Sequence, residues 1–265
     1  PNNLSSIGSA AHLYAIRGDL ISSFKYSAQV ISQKPEHHMA QLQMTSVLAL
    51  LNFSDQANAR YNKLFSLYPD NVFVNESYPI QLFHQGELES ARAISIQALE
   101  RGVERASLYL NYAEILWLLE SKEVALPYLD KAAALDRDNS FSKTIVKLLE
   151  NEMDAQQAML RIQTIEAIVE QGNTWPINYV EAAAIALWAL NDTQQSISFL
   201  NKATELGYLH SEYLTISPIF AKLRAPQTEY NNEFTQLILR INKKRESLRQ
   251  DFLEESLMDQ IKEIY

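Results

Sequence analysis

Cysteine is absent from the 265 residues. That excludes disulfides and thiol chemistry while leaving an oxidising or a reducing compartment equally open. Glycine is nearly as scarce: the six present are scattered singly, too dispersed for a phosphate-cradling loop or a nucleophile elbow. No apolar run exceeds Ala182 to Leu190, far short of the ~20 residues a spanning helix needs, so no membrane insertion is expected. Positive charge is in the minority, with 23 Lys and Arg against 32 Asp and Glu, a net charge of −9 and a pI of 5.1. Phosphate backbones repel such a chain, which excludes nucleic acid as an expected partner of these residues. The histidines are His12, His37, His38, His84 and His210. No two of them stand at i, i+4, and no cysteine complements them, so no metal site and no cofactor are expected. The carboxylates lie on solvated helix faces, and an enzyme active site is not expected within these residues.

What the chain has instead is order along its length. In Ala106 to Asn139, a helix, a turn at Glu120-Ser121-Lys122 and a second helix put Leu110, Ala113, Leu116 and Trp117 on one stripe. Ala125, Leu129, Ala132 and Leu135 form another. So short a hairpin cannot bury both stripes alone, and it requires copies stacked on both sides. A step of ~34 residues finds those copies starting at Leu4, His38 and Val72. Residues recur where helix crossings limit side-chain size. The eighth place holds Ala11, Thr45, Pro79 and Ala113; the twentieth Ser23, Ala57, Ala91 and Ala125; the twenty-seventh Val30, Leu64, Ala98 and Ala132. Pro35 and Pro69 end second helices because proline lacks the N–H and restricts its predecessor. Gly18-Asp19 and Gly86-Glu87 fall in the inter-helix turns.

These residues resemble the tetratricopeptide repeat, a helix hairpin with small residues at those places and proline near its end. The resemblance implies an all-α, right-handed α-solenoid of about six hairpins over residues 1–210 (units 4–37, 38–71, 72–105, 106–139, 139–176 and 177–210), followed by C-terminal capping helices over 211–265. The last two units are looser. Met153-Asp154 makes the turn of the fifth, with Ala158 and Ile165 at the small places; Ala184, Ser196 and Ala203 fill them in the sixth, with Asn191-Asp192 at its turn. Pro79, inside the first helix of the third unit, is expected to kink that helix or delay its start.

The resemblance also implies a concave groove lined from the first helices, which binds a protein or peptide partner. It assigns His12, Phe73, Glu76, Phe83, His84, Glu114, Trp117, Lys143, Lys147, Glu181 and Trp188 to that groove, with Ile16, Met39, Leu42 and Leu110 beside them. Aromatic and apolar residues interrupted by acids suit a segment with an apolar face and some positive charge. The cationic constellation with which chaperone-binding members hold a terminal carboxylate is missing, since Gly8 and His12 stand where it would begin. No binding of acidic chaperone tails is expected.

From about Thr228, apolar residues fall at helical spacing: Phe234, Leu237, Ile238, Ile241, Leu248, Phe252, Leu257, Ile261 and Ile264. This amphipathic tail is expected to pack along the last repeat as a cap, with pairing to a twin in a homodimer as the other reading. The basic run Arg240, Lys243, Lys244, Arg245 and Arg249 is expected to be a solvated face, because Asp251, Glu254 and Glu255 follow it. Gly207-Tyr208, Ser217 to Arg224, Phe234 to Leu237 and Arg245-Glu246 loosely resemble the segment closing the repeat domains of bacterial membrane-anchored transcription activators and nucleotide cyclases. The start at Pro1-Asn2-Asn3, without methionine or apolar leader, reads as a piece of a longer protein. The expected role is a sensor or docking module of a bacterial regulator, on the periplasmic side. A stand-alone scaffold and the repeat domain of a cyclase are the alternatives.

Overall fold

The computed structural model describes residues 4–136, 141–172, 174–225 and 230–259. The paired helices come in the expected order: α1 (Leu4–Ile16) with α2 (Leu20–Gln33), α3 (His38–Leu50) with α4 (Ser54–Leu67), α5 (Val72–His84) with α6 (Leu88–Glu100), and α7 (Ala106–Leu119) with α8 (Lys122–Leu135). A looser fifth unit, α9 (Phe141–Leu149) and α10 (Ala155–Glu170), precedes the sixth pair, α11 (Pro176–Trp188) and α12 (Thr193–Glu205). The tail forms α13 (Ser211–Ile216), a 3-10 turn over Pro218–Phe220, α14 (Ala221–Arg224) and the long α15 (Asn231–Glu254). Among the described residues there is no strand, and the architecture is an all-α solenoid.

The repeat is visible in where helices start and in what they bury. The four first helices begin at Leu4, His38, Val72 and Ala106, the starts the period predicts. Side-chain oxygens of Asp19, Asn71, Ser121, Asp154 and Asp192 accept backbone N–H groups that open second or first helices; Asp154 completes a reciprocal capping box with Gln157. All residues at the eighth, twentieth and twenty-seventh places are buried, with Ala57, Ala91, Ala113, Ala125, Ala132, Ala158, Ala184 and Ala203 fully so. The size limit is physical: four of the buried serines, Ser23, Ser27, Ser95 and Ser196, have hydroxyls without a hydrogen-bond partner among the described residues. At the twentieth place, then, Ser23 and Ser196 serve by being small rather than polar.

Pro79 does not delay α5, which starts at Val72. Asn71 accepts from the N–H groups of Phe73 and Val74. The buried Asn75 amide donates to the carbonyls of Pro69 and Asn71 at 2.9 and 2.8 Å, while Arg101 donates to its oxygen at 2.8 Å. This clamp fixes the first turn before the proline is reached. A second internal proline, Pro127, sits within α8.

The tail does more than cover the last hairpin. α15 packs on α12, α13 and α14, and also reaches α2. Phe252, fully buried, meets Phe24 edge-on at 4.7 Å and Phe53 at 5.5 Å between centroids, so the last helix seals against the first two hairpins. At the other contact the turn after α12 touches the turn after α1. A Cβ on Gly207 would stand 2.3 Å from the Arg17 carbonyl oxygen, and one on Gly18 would stand 2.8 Å from that of Gly207. Arg245 departs from the expected solvated face: it is 6% exposed and pairs with Glu212, its Nη1 at 2.6 Å from Oε2. Pairing with a carboxylate on α13 is what makes burial of this guanidinium tolerable, and the bond pins α15 to the segment before it. Phe234, Leu237, Ile241, Phe252 and Leu257 are buried within the chain, whereas Leu239 and Leu253 of α15 are exposed. Ile261 and Ile264 lie outside the described residues.

Candidate functional site

The first helices do line a concavity, and the chain itself occupies part of it. After Gly207, held at φ +104° where glycine alone is unstrained, the segment through Arg224 crosses the inner face. It contacts α5 through α13 and both α7 and α11 through the 3-10 turn. Ser217 nucleates that turn by accepting the Ile219 N–H, with Pro218 at its first position. Arg224 folds the segment onto itself, donating Nη1 to the carbonyls of Leu214 and Ser217 at 3.0 and 2.8 Å. Ser211 donates to Asn242 at 2.6 Å, anchoring α13 to α15.

Three groove residues hold this segment. Glu114, 2% exposed, accepts from the Ser217 hydroxyl at 2.6 Å and the Tyr213 hydroxyl at 3.2 Å. Burial pushes its carboxyl up to about 7, against the pull of those two hydroxyl donors and of the Arg224 charge. Trp188 donates its indole N–H to the Ile219 carbonyl at 2.8 Å, and Lys222 lies 4.8 Å from the centre of its ring. Trp117 faces Trp188 at 6.4 Å between centroids. Phe83 is fully buried beneath Tyr213. Glu114, Trp188 and Phe83 thus meet the chain's own tail rather than open space.

Glu181 is spent differently. Arg161 of α10 grips it with two parallel bonds of 2.8 and 3.0 Å, and Thr144 of α9 donates to it at 2.7 Å. This satisfied, 4% exposed carboxylate ties the fifth unit to the sixth. Lys143 and Lys147 line a separate cleft between α9 and α10.

His12, Phe73, Glu76 and His84 remain around an open bowl. They share a cavity of about 350 Å³ with Met39, Leu42 and Ile16. It adjoins a mostly apolar cavity of about 220 Å³ bounded by Ile80, Leu110, Phe141 and Ile177, and a third of about 210 Å³ under Trp175. His210 borders all three. The floor is therefore Tyr208, His210 and Tyr213, from the segment that follows the sixth hairpin. No local signal in the sequence marks these residues, because the partners they face lie in α5 and α7. His84 and His210 stand edge-to-face at 5.0 Å. Burial pushes His210 down to about 4 and His84 well below its ordinary value, so both are neutral at pH 7. Glu76, drawn upward by burial, is neutralised in place by Arg105 at 3.0 Å and also accepts from Ser107.

The bowl is thus aromatic and nearly uncharged, a surface for shape and apolar contact. Among the described residues no group of three or more His, Asp or Glu side chains could hold a metal ion. None of the described helices is long and apolar enough to cross a membrane.

Stacked hairpins around a concavity define a helical-repeat scaffold. Residues 106–139 match the tetratricopeptide repeat, and the same small places are buried in the hairpins on either side. No curated protein matches it. Among solved structures, that of pilF from Pseudomonas aeruginosa aligns with 88% of this chain and 96% of its own at 16% identity and a TM-score of 0.49. A tetratricopeptide repeat protein from Parabacteroides merdae aligns over 98% of both chains at 12% identity and a TM-score of 0.42. YrrB, described as a TPR protein with an unusual peptide-binding site, covers 71% of this chain and 96% of its own at 19% identity and a TM-score of 0.39.

Proposed function

We propose that the chain is a non-enzymatic docking scaffold that holds an apolar segment of a protein partner in the open bowl. The observation that carries this reading is the merging of three cavities around His210, walled by the first helices and lined by Met39, Phe73 and Ile80. Phe73 is 42% exposed and Met39 36%, which makes them available as anchors. The acids that suggested a cationic ligand are otherwise engaged: Glu76 by Arg105, Glu114 by the tail, Glu181 by Arg161. The segment this bowl suits is therefore apolar or aromatic and close to neutral. Placement of the scaffold as the sensor module of a larger bacterial regulator, on the periplasmic side, is supported by the resemblance of the tail around Ser217 to Arg224.

A photo-crosslinking residue tests the site directly. Placed at Phe73, it should capture a discrete partner in cells; placed at Leu67, which is 57% exposed and borders none of the three cavities, it should not. Met39→Glu should abolish the capture at Phe73. Equal yield at the two positions would overturn the reading.

A further inference from the structure

The tail that crosses the inner face engages only one side of the Glu114 carboxyl. The hydroxyls of Ser217 and Tyr213 both donate to Oε1, and among the described residues no hydrogen bond reaches Oε2. One turn earlier on α7, the amide oxygen of Asn111, a residue 5% exposed, has no partner among the described residues either. Both side chains line the mostly apolar cavity of about 220 Å³ that Ile80, Leu110, Phe141 and Ile177 enclose. A buried acceptor left without a donor is unfavourable, and two of them on one wall mark where a ligand's donor belongs. Little else in the cavity competes for that donor. Ser107 already gives its hydroxyl to Glu76, and the imidazoles of His84 and His210 are neutral.

Size and charge narrow the ligand. A dry cavity of ~150 Å³ lined by Leu, Ile and Phe holds benzene, so about 220 Å³ has room for a ring with a substituent or a second fused ring. Phe141 and the aliphatic walls supply the contacts that such a flat apolar body makes. An anion is disfavoured beside Glu114 in a chain of net charge −9. A cation is not required, because the Arg224 charge already acts on Glu114. We propose that this cavity binds a small uncharged aromatic compound of about the size of indole, with one N–H or O–H group donating to Oε2 of Glu114. The inference goes beyond the docking of a partner segment and stands independently of it, since Met39 and Phe73 border the neighbouring cavity and not this one.

Isothermal calorimetry on the whole chain at pH 8, where Glu114 is ionised, tests this with three probes: indole, N-methylindole, which lacks the donor, and tryptamine, which adds a positive charge. Indole should bind about tenfold more tightly than N-methylindole, the worth of one hydrogen bond, and more tightly than tryptamine. Ile177→Trp, at a rim residue that is 40% exposed, should fill the cavity and abolish binding. In Glu114→Gln the amide oxygen turns to Ser217 and Tyr213 and the amide nitrogen faces the cavity. With helical content unchanged by circular dichroism, that variant should bind indole no better than N-methylindole. Met39→Glu, which ends the docking of a partner segment, should bind indole as the natural chain does. No binding of indole, equal affinity for indole and N-methylindole, a preference that survives in Glu114→Gln, or tighter binding of tryptamine would overturn the proposal. Loss of indole binding in Met39→Glu would move the ligand to the neighbouring cavity and overturn it as well.

Discussion

Glu114 on α7 accepts a 2.6 Å hydrogen bond from Ser217, a residue 103 positions later in the chain. This contact helps to hold the tail in the concavity, and it places a carboxyl where its charged form is disfavoured. Its value of about 7 lies above the ordinary 4.5. Between those two values the folded state keeps a proton that the unfolded state has released, so stability falls as pH rises from about 4.5 to about 7 and is level above that. Glu114→Gln keeps an acceptor for Ser217 and Tyr213 and removes the charge. The variant should gain on the order of 1 to 3 kcal/mol at pH 8 relative to the natural chain and show no gain at pH 4. Urea midpoints at the two pH values check this.

His210 acts with the opposite sign. Its imidazole is held down to about 4 by burial, from an ordinary 6.5. In that window the unfolded state takes up a proton that the folded state refuses, so stability is lost as pH falls from about 6.5 to about 4. His84, displaced in the same direction, adds to the loss. Together they should outweigh Glu114 on the acid side. His210→Gln should shrink the drop in melting temperature between pH 7 and pH 5; an unchanged drop would mean that the imidazole is solvated.

The meeting of Gly18 and Gly207 leaves no space for a side chain. Gly207→Ala would bring a Cβ to 2.3 Å from backbone at φ +104°, whereas at Gly102, φ +79°, no atom lies within 4 Å of the added carbon. Gly102→Ala should cost about 1 kcal/mol, the strain of the backbone conformation alone. Gly207→Ala should cost at least twice that, because carbonyl groups must move. Chemical denaturation of the two variants side by side decides.

The helix crossings give a paired test of the register. Ala125 is fully buried, so Ala125→Leu should overpack the fourth hairpin at a cost of about 1 to 3 kcal/mol. Ser196 holds the same place in the sixth, with a hydroxyl that has no partner among the described residues. Ser196→Ala should stabilise by about 1 kcal/mol, since it removes an unsatisfied polar group without changing the fit. Opposite shifts in melting temperature are expected.

The hairpins were legible because repeat contacts are local: Ala11, Ala57, Ala113 and Ala125 lie where a fixed step and a size limit put them. The filling of the concavity was not. Glu114 reads as a groove acid on any helical wheel, and only its meeting with Ser217 shows otherwise. Arg245 sits in a run of cations that resembles a wetted face, and its partner Glu212 lies on a different helix. Tyr208 and His210, the floor of the bowl, carry no periodic signature. The looseness of the fifth unit was visible in the chain, but the opening of α9 from α10 that accompanies it was not, because Ala158 and Ile165 keep the twentieth and twenty-seventh places of a closed pair.

In a linear pile of repeats the outermost unit leans on one neighbour and is the first to fray. Here the turn at Gly18 rests on Gly207, and Phe252 is wedged between Phe24 and Phe53, so the molecule is buckled like a belt and α2 has support on both flanks. Its amide protons should exchange with deuterium as slowly as those of α7 in the middle of the array, and cleaving the buckle should release both ends at once.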